Sequence, residues 1–471
     1  MLLEQDASAV AAAAEPQPAL ALPPRPPRPL STWQLFRTFP NNAVAACDEE
    51  LFEELFVERR FFWGRLFVLS DPDAIHRILV TNVDNYIRIP PVRRAFTFTS
   101  GGGMNHLEGE EWWRHRRMIN PAMDYRALLP DLPELVRLTE DMAARLCALP
   151  PGQEFPIGRT LTHLLTRTTG RVFAGEDRRI DALLLRLGRF PENYGPLDAL
   201  PLPRWLYGID RYRRARSGLG EYYRLLDELF AERRSAAYAG GKDLLWRMAT
   251  DRDRETGREL SAAELRDEVL TLAAGAQAPL RAMTWAWYVL AHFPAAEQRL
   301  HAELDAVLGG RSPVPEDFSR LAYMRRFIDE SMRLYPPLPV MLRTAVADDE
   351  ACGRRIPKGS FIAIMPWVVH RHRKLWRHPE RFDPDRFAPE RIAARSRYAY
   401  IPFGVGPRVC VAASLAMAEI QIAIAVLAQR LRFRLVPGQN IEPTAWSTLR
   451  PRGDIMMTGE PRPAPAAAAR A

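Results

Sequence analysis

A chain of 471 residues with 47% hydrophobic and 26% charged residues has the make-up of a globular protein with a substantial core. Its net charge of +8 would suit an anionic partner, but the arginines are scattered, with no aromatic platform between them, which argues against nucleic acid. No apolar run is long enough for a membrane anchor, no basic stretch precedes an apolar core as in a secretory signal, and the scattered Cys47, Cys147, Cys352 and Cys410 favour a reducing, cytoplasmic setting.

In chain order, residues 1–30 are rich in Ala and Pro and are expected to form a disordered leader, followed by one domain over 31–459 and a disordered tail over 460–471. Leu66–Leu69 reads as a strand. Apolar residues at three- and four-residue spacing predict helices over Asp131–Ala148, Ile180–Leu187, Arg211–Tyr238 and Pro294–Leu308, the last stopped by Gly309-Gly310. Ser261 with Glu264 three residues later is a capping-box pattern, and it opens an apolar helix running to about His292. A further helix spans Glu316–Leu334 and ends at Pro336-Pro337. Strands over Val340–Ala347 and Phe361–Val369 flank Pro357-Lys358-Gly359, and Arg371 to Pro402 is long, irregular and rich in Pro and Arg. The fold class is therefore mainly α with small β-sheets.

The segment Pro402-Phe403-Gly404-Val405-Gly406-Pro407-Arg408-Val409-Cys410-Val411-Ala412 carries the strongest signal. Two glycines permit a tight loop, and Cys410 stands at the start of a helix-forming run, Ala412–Leu431, where a thiolate is favoured. Arg408 offers a fork suited to a carboxylate, and Phe403 an aromatic face for a flat cofactor. This segment resembles the haem loop of the cytochrome P450 superfamily, Phe-x-x-Gly-x-Arg-x-Cys-x-Gly, with Ala412 in place of the last glycine. The resemblance makes Cys410 the axial thiolate and metal ligand, gives Arg408 a haem propionate, and puts Phe403, Gly404 and Ala412 against the cofactor.

Other segments resemble the same family. Glu330 and Arg333, ahead of Leu334-Tyr335-Pro336-Pro337, are similar to its K-helix pair. The third member is expected to be Arg386, in Phe382-Asp383-Pro384-Asp385-Arg386-Phe387, rather than Arg381. Trp112 and Arg116 match the C-helix and Arg343 a strand arginine, all three as propionate contacts, with His115 near the same edge. The long helix after Ser261 departs from the pattern: Ala274 and Gly275 are kept, but the family's acid and alcohol are replaced by Gln277 and Ala278. Such groups deliver protons in the family, and positioned acids and bases contribute roughly 10²–10⁴-fold in rate. Pro279 also frees a carbonyl near Gly275.

The resemblance, from about Trp33 to Gly459, implies the family's triangular helical prism with haem b between its I- and L-helices. It implies insertion of one oxygen atom from O2 into a hydrophobic small molecule, with electrons from an external donor such as a ferredoxin or flavodoxin and its reductase. A basic docking face of Arg116, Arg117, Arg325 and Arg326 is an expectation of the same kind. The lost acid and alcohol leave three routes: substrate-assisted proton delivery, peroxide-using or redox-neutral chemistry, or a non-catalytic haem sensor. Substrate contacts are expected from the segments Arg88–His106 and Phe190–Tyr212, with aromatic Phe96, Phe98, Phe190, Tyr194, Trp205 and Tyr207 and a carboxylate anchor at Arg88 or Arg93.

Overall fold

The helices Gln277–His292 and Ala413–Arg430 are apolar almost all round, as befits the centre of the core. Throughout, the protein is seen in a computed structural model that describes residues 17–61, 64–89, 93, 102–188 and 220–463. The six aromatic residues expected in the substrate loops lie outside these, as do residues 211–219 of the predicted 211–238 helix.

The helices that frame the site are α1 (Gly109–Ile119), α2 (Leu132–Cys147), α3 (Ile157–Ala174), α4 (Ala262–Gly275), α5 (Gln277–His292), α6 (Ala322–Leu334) and α7 (Ala413–Arg430). Ser261 caps α4 through the full capping box: its hydroxyl accepts from the N–H of Glu264, whose carboxylate accepts from the N–H of Ser261. The expected single helix from 261 to 292 is instead two, meeting at Ala276. Pro279 has no N–H to give Gly275 and crowds its carbonyl, so the ladder is interrupted one turn before the proline. The Pro294–Leu308 helix has the predicted bounds, with Pro294 in its first turn and Gly309 left-handed at its end.

Two other expectations need correction. The predicted 316–334 helix is split into a 3-10 turn, Pro315–Ser319, and α6. The Asp317 carboxylate takes the Val314 N–H at 2.9 Å, so the first turn closes on itself. The strand from Phe361 stops at Ile364, because Pro366 opens a helical turn, Pro366–Val369.

Strands β1 (Phe56–Phe61), β2 (Gly64–Leu69), β3 (Tyr86–Ile87), β4 (Met341–Ala345) and β5 (Phe361–Ile364) form a sheet in the order β1-β2-β5-β4-β3. Only β2 and β5 run parallel, with Phe67 opposite Ile362. Three smaller sheets complete the β portion among the described residues. The main hydrophobic core lies where α5 packs on α3, α6 and α7. By length and composition α7 could cross a membrane, but 72% of its apolar window is buried inside the protein, as expected of a core helix.

Residues 17–30, in the expected leader, lie along the protein without helix or strand. The Ala21 N–H donates to the Tyr288 hydroxyl and its carbonyl accepts from the Tyr335 hydroxyl, each at 2.8 Å. At the other end, the last strand continues to Pro461, and Arg462 pairs with Asp305 at 2.8 Å.

Candidate active site

A largely apolar cavity of about 1540 Å³ runs through the protein. Residues 402–404, 408–412, 274–279, Trp112, Arg116 and Arg343 all line it, so one space brings together four separated parts of the chain.

The cysteine loop is built by backbone hydrogen bonds. The Cys410 N–H donates to the Phe403 carbonyl at 2.9 Å, Val409 to Gly406 at 3.1 Å, and Gly404 to Ile401 at 3.1 Å. Gly404 (φ +71) and Gly406 (φ +76) supply the left-handed turns this path needs. His370, missed in the sequence, receives the Ile401 N–H on its Nε2 at 2.9 Å and anchors the loop's start. Cys410 is exposed to the cavity, while protein atoms surround its thiol on the other sides. Burial pushes its pKa up, and the Ala412 N–H and the Arg116 guanidinium pull it back only in part. The helix itself begins at Ala413, three residues beyond Cys410.

Among the guanidiniums that line the cavity are those of Arg88, Arg116, Arg343 and Arg408. Arg408 stacks on Trp112, with its guanidinium carbon 4.4 Å from the ring centre, and bonds Glu108. Arg343 Nη1 donates to the Leu342 carbonyl at 2.8 Å, but its Nε, like Nη1 of Arg88, is buried with no hydrogen-bond partner. Burial, then mutual repulsion, pushes Arg88 down to about 9 and Arg343 down to about 10. Buried donors without partners are costly, and Glu108 is one carboxylate among several guanidiniums, so this cradle suits an anionic ligand.

His115 does not join that cluster. Its Nδ1 lies 2.6 Å from Glu268 and its Nε2 3.3 Å from Glu264, tying α1 to α4. Glu111, His115 and Glu264 have the spacing of metal ligands. Arg114 already occupies their midst, with bonds to both carboxylates. Nor do the four arginines expected at a docking face combine. Arg116 turns into the cavity, while Arg117 pairs with Asp253, Arg325 with Asp329 and Arg326 with Asp385.

The α4–α5 junction brings Ala274, Gly275, Gln277 and Ala278 to the cavity. A Cβ on Gly275 would meet nothing within 4 Å, so there is open space at this helix face. Gln277 is buried, the polar residue at the position the family gives to an acid.

Glu330 and Arg333 are fully buried and paired by two hydrogen bonds of 2.8 and 2.7 Å. Arg333 also donates to the carbonyls of His370, Pro379 and Arg381 at 2.8, 2.7 and 3.0 Å. Arg386 Nε lies 3.5 Å from Glu330, and its other nitrogens donate to the carbonyls of Arg377 and His378 at 2.6 and 2.8 Å. Arg381 contributes only its backbone. The irregular 371–402 stretch is thus held from within by these charges.

Sequence reading also missed Glu419, which lines the cavity from α7 and accepts from the hydroxyls of Thr168 and Thr169 at 2.9 Å. Burial pushes its pKa up to about 7. Its signal was present: a lone acid inside an apolar helical run.

A soft sulfur ligand, a flanking aromatic ring, a cationic cradle with unpartnered donors and a large apolar cavity together fit haem, a flat dianion with an axial site. The comparisons agree. The cytochrome P450 family model matches residues 24–458. Cyclooctatin synthase of Streptomyces melanosporofaciens is 32% identical over 416 residues, 86% of this chain and 88% of that protein. Cyclooctat-9-en-7-ol 5-monooxygenase of the same organism is 32% identical over 82% of this chain and 84% of its own. The crystal structure of the cytochrome P450DA haem domain superposes with a TM-score of 0.80 at 22% identity, covering 95% of this chain and 99% of that one. With the family model matched over residues 24–458, this chain belongs to the cytochrome P450 family and is an oxidoreductase of the monooxygenase type.

Proposed function

We propose that this protein inserts one oxygen atom from O2 into an apolar terpenoid, using haem b and electrons from a separate donor. The cavity carries this reading: its lining surface is predominantly apolar, which suits a hydrocarbon skeleton with little oxygen on it. Two relatives are named for the oxidation of such skeletons, cyclooctat-9-en-7-ol 5-monooxygenase and, at 35% identity over 208 residues, pentalenene oxygenase of Streptomyces avermitilis.

The haem, when bound, supplies the oxygen-activating chemistry. Cys410 would be its axial thiolate and metal ligand. Arg116, Arg343, Arg408 and the indole of Trp112 would hold its propionates, and Phe403, Gly404 and Ala412 would pack against it. Ala274 and Gly275 leave room beside α4 for dioxygen and substrate. Gln277 can hold a water through its amide but cannot relay a proton as a carboxyl does, and Ala278 has no hydroxyl to share. A hydroxyl on the substrate would complete the proton path. Glu330, Arg333 and Arg386 act on structure alone.

Titrating the purified haem protein with polycyclic terpenoids tests this reading. Terpenoid alcohols should convert the haem from low to high spin, and their deoxygenated parents should be turned over with more oxygen wasted. Response only to fatty acids or macrolides would overturn it. The same loss of acid and alcohol favours a second reading, peroxide-driven or redox-neutral turnover. That reading would gain if peroxide alone, without an electron donor, supported full product formation.

A further inference from the structure

We infer that Glu108 is a positioning residue for the haem cradle, holding Arg88 and Arg408 from behind and setting the charge the haem experiences. The inference rests on the haem-binding reading above. Glu108 is not among the cavity-lining residues, whereas both of its partners are. Its Oε1 accepts the Arg88 N–H at 3.0 Å and lies 3.8 Å from Arg88 Nη1, while its Oε2 accepts from Arg408 Nη2. One carboxylate therefore grips two strands of the cradle that are 320 positions apart in sequence (408 − 88 = 320).

The bland role for this residue is capping. Glu108 occupies the N-cap position of α1, yet its side chain makes no cap hydrogen bond. It is spent on the arginines instead. Arg408 is fixed on three sides: by Glu108, by the Leu107 carbonyl at 3.4 Å and by the face of Trp112. A fork held this way meets a carboxylate with little left to order. Glu108 also counters the repulsion among Arg88, Arg343 and Arg408, which it attracts in each case. Reduction of the haem adds negative charge nearby, so an acid behind the propionates holds the potential down.

The test compares Glu108→Gln, Glu108→Asp and, as a surface control, Glu110→Gln as haem-loaded proteins in a redox titration. Glu110 pairs with Arg117 away from the cavity. The expected result is a higher midpoint potential for Glu108→Gln, with Glu108→Asp and Glu110→Gln near the wild type. An unchanged potential in Glu108→Gln, or an equal shift in Glu108→Asp, would overturn the inference. Should Glu108→Gln take up no haem, its apoprotein decides: a melting temperature equal to that of wild-type apoprotein supports a cradle role, and a lower one overturns it. Wild-type protein that binds no haem would overturn the haem reading itself, whereas wild type with haem and a silent Glu108→Gln sinks this inference alone.

Discussion

Gly406 and Leu79 touch so closely that a side chain on Gly406 would collide with the Leu79 carbonyl. The contact presses the cysteine loop onto the short helical segment before β3, and the positive φ of Gly406 leaves the turn no other residue. Gly406→Ala should cost about 1–3 kcal/mol from strain and overpacking and should impair haem retention. Haem content after purification, with thermal melting, checks this; a fully loaded variant of wild-type stability would contradict it.

Glu330 lies between two guanidiniums with no solvent to replace it. Glu330→Gln leaves Arg333 and Arg386 buried with their charge uncompensated, and breaking a buried pair from one side typically costs about 3–5 kcal/mol. Denaturant unfolding should show a loss of that order. A change below about 1 kcal/mol, typical of an exposed pair, would mean that the carbonyls of the 371–402 stretch hold both arginines unaided.

Ala278→Thr restores the family's alcohol beside Gln277. If the substrate completes the proton path, product formed per O2 consumed should change by less than about twofold, far below the roughly 10²-fold of a missing acid–base group. A rise of tenfold or more would show that the native site lacks a path the hydroxyl provides.

The buried carboxyl of Glu419 predicts a pH dependence of stability. Its pKa is raised from 4.5 to about 7 in the folded protein, chiefly by burial, with the Thr169 and Thr168 hydroxyls opposing. Between those values the folded state holds a proton that the unfolded state has released. The contribution of Glu419 is therefore full below about pH 4.5 and is lost as pH rises towards 7, at up to about 1.4 kcal/mol per pH unit. Glu419→Gln should remove this slope, so wild type minus variant stability falls across the interval. Parallel curves from denaturant unfolding at several pH values would contradict the assignment.

Local signals carried the sequence reading well. The Pro294–Leu308 helix has the expected bounds because Pro294 and Gly309 fix both ends in the chain itself. The capping box at Ser261 and the paired Glu330 and Arg333 are likewise local, three residues apart. Tertiary partners were harder to see. Glu108 stood in plain view before Gly109, but its meaning depends on Arg88 and Arg408 arriving from opposite ends of the fold. His115 was read as a neighbour of the haem edge because the α1 pattern does not say which way each side chain turns; Glu264 and Glu268 on α4 take it the other way. Pro279 announced a freed carbonyl, yet whether the helix would bend or break at Ala276 was not legible from the proline alone. At residues 17–30 composition does not reveal the hydroxyls of Tyr288 and Tyr335, which bond the backbone of Ala21.

Thiolate ligation of the haem iron by Cys410 is tested by the absorption spectrum of the reduced protein under carbon monoxide. Wild-type protein should show the strongly red-shifted Soret band of thiolate-ligated haem, and Cys410→Ser should lose it while the purified chain stays folded. A wild-type band at the position typical of histidine-ligated haem, or a red-shifted band that survives in Cys410→Ser, would contradict the account.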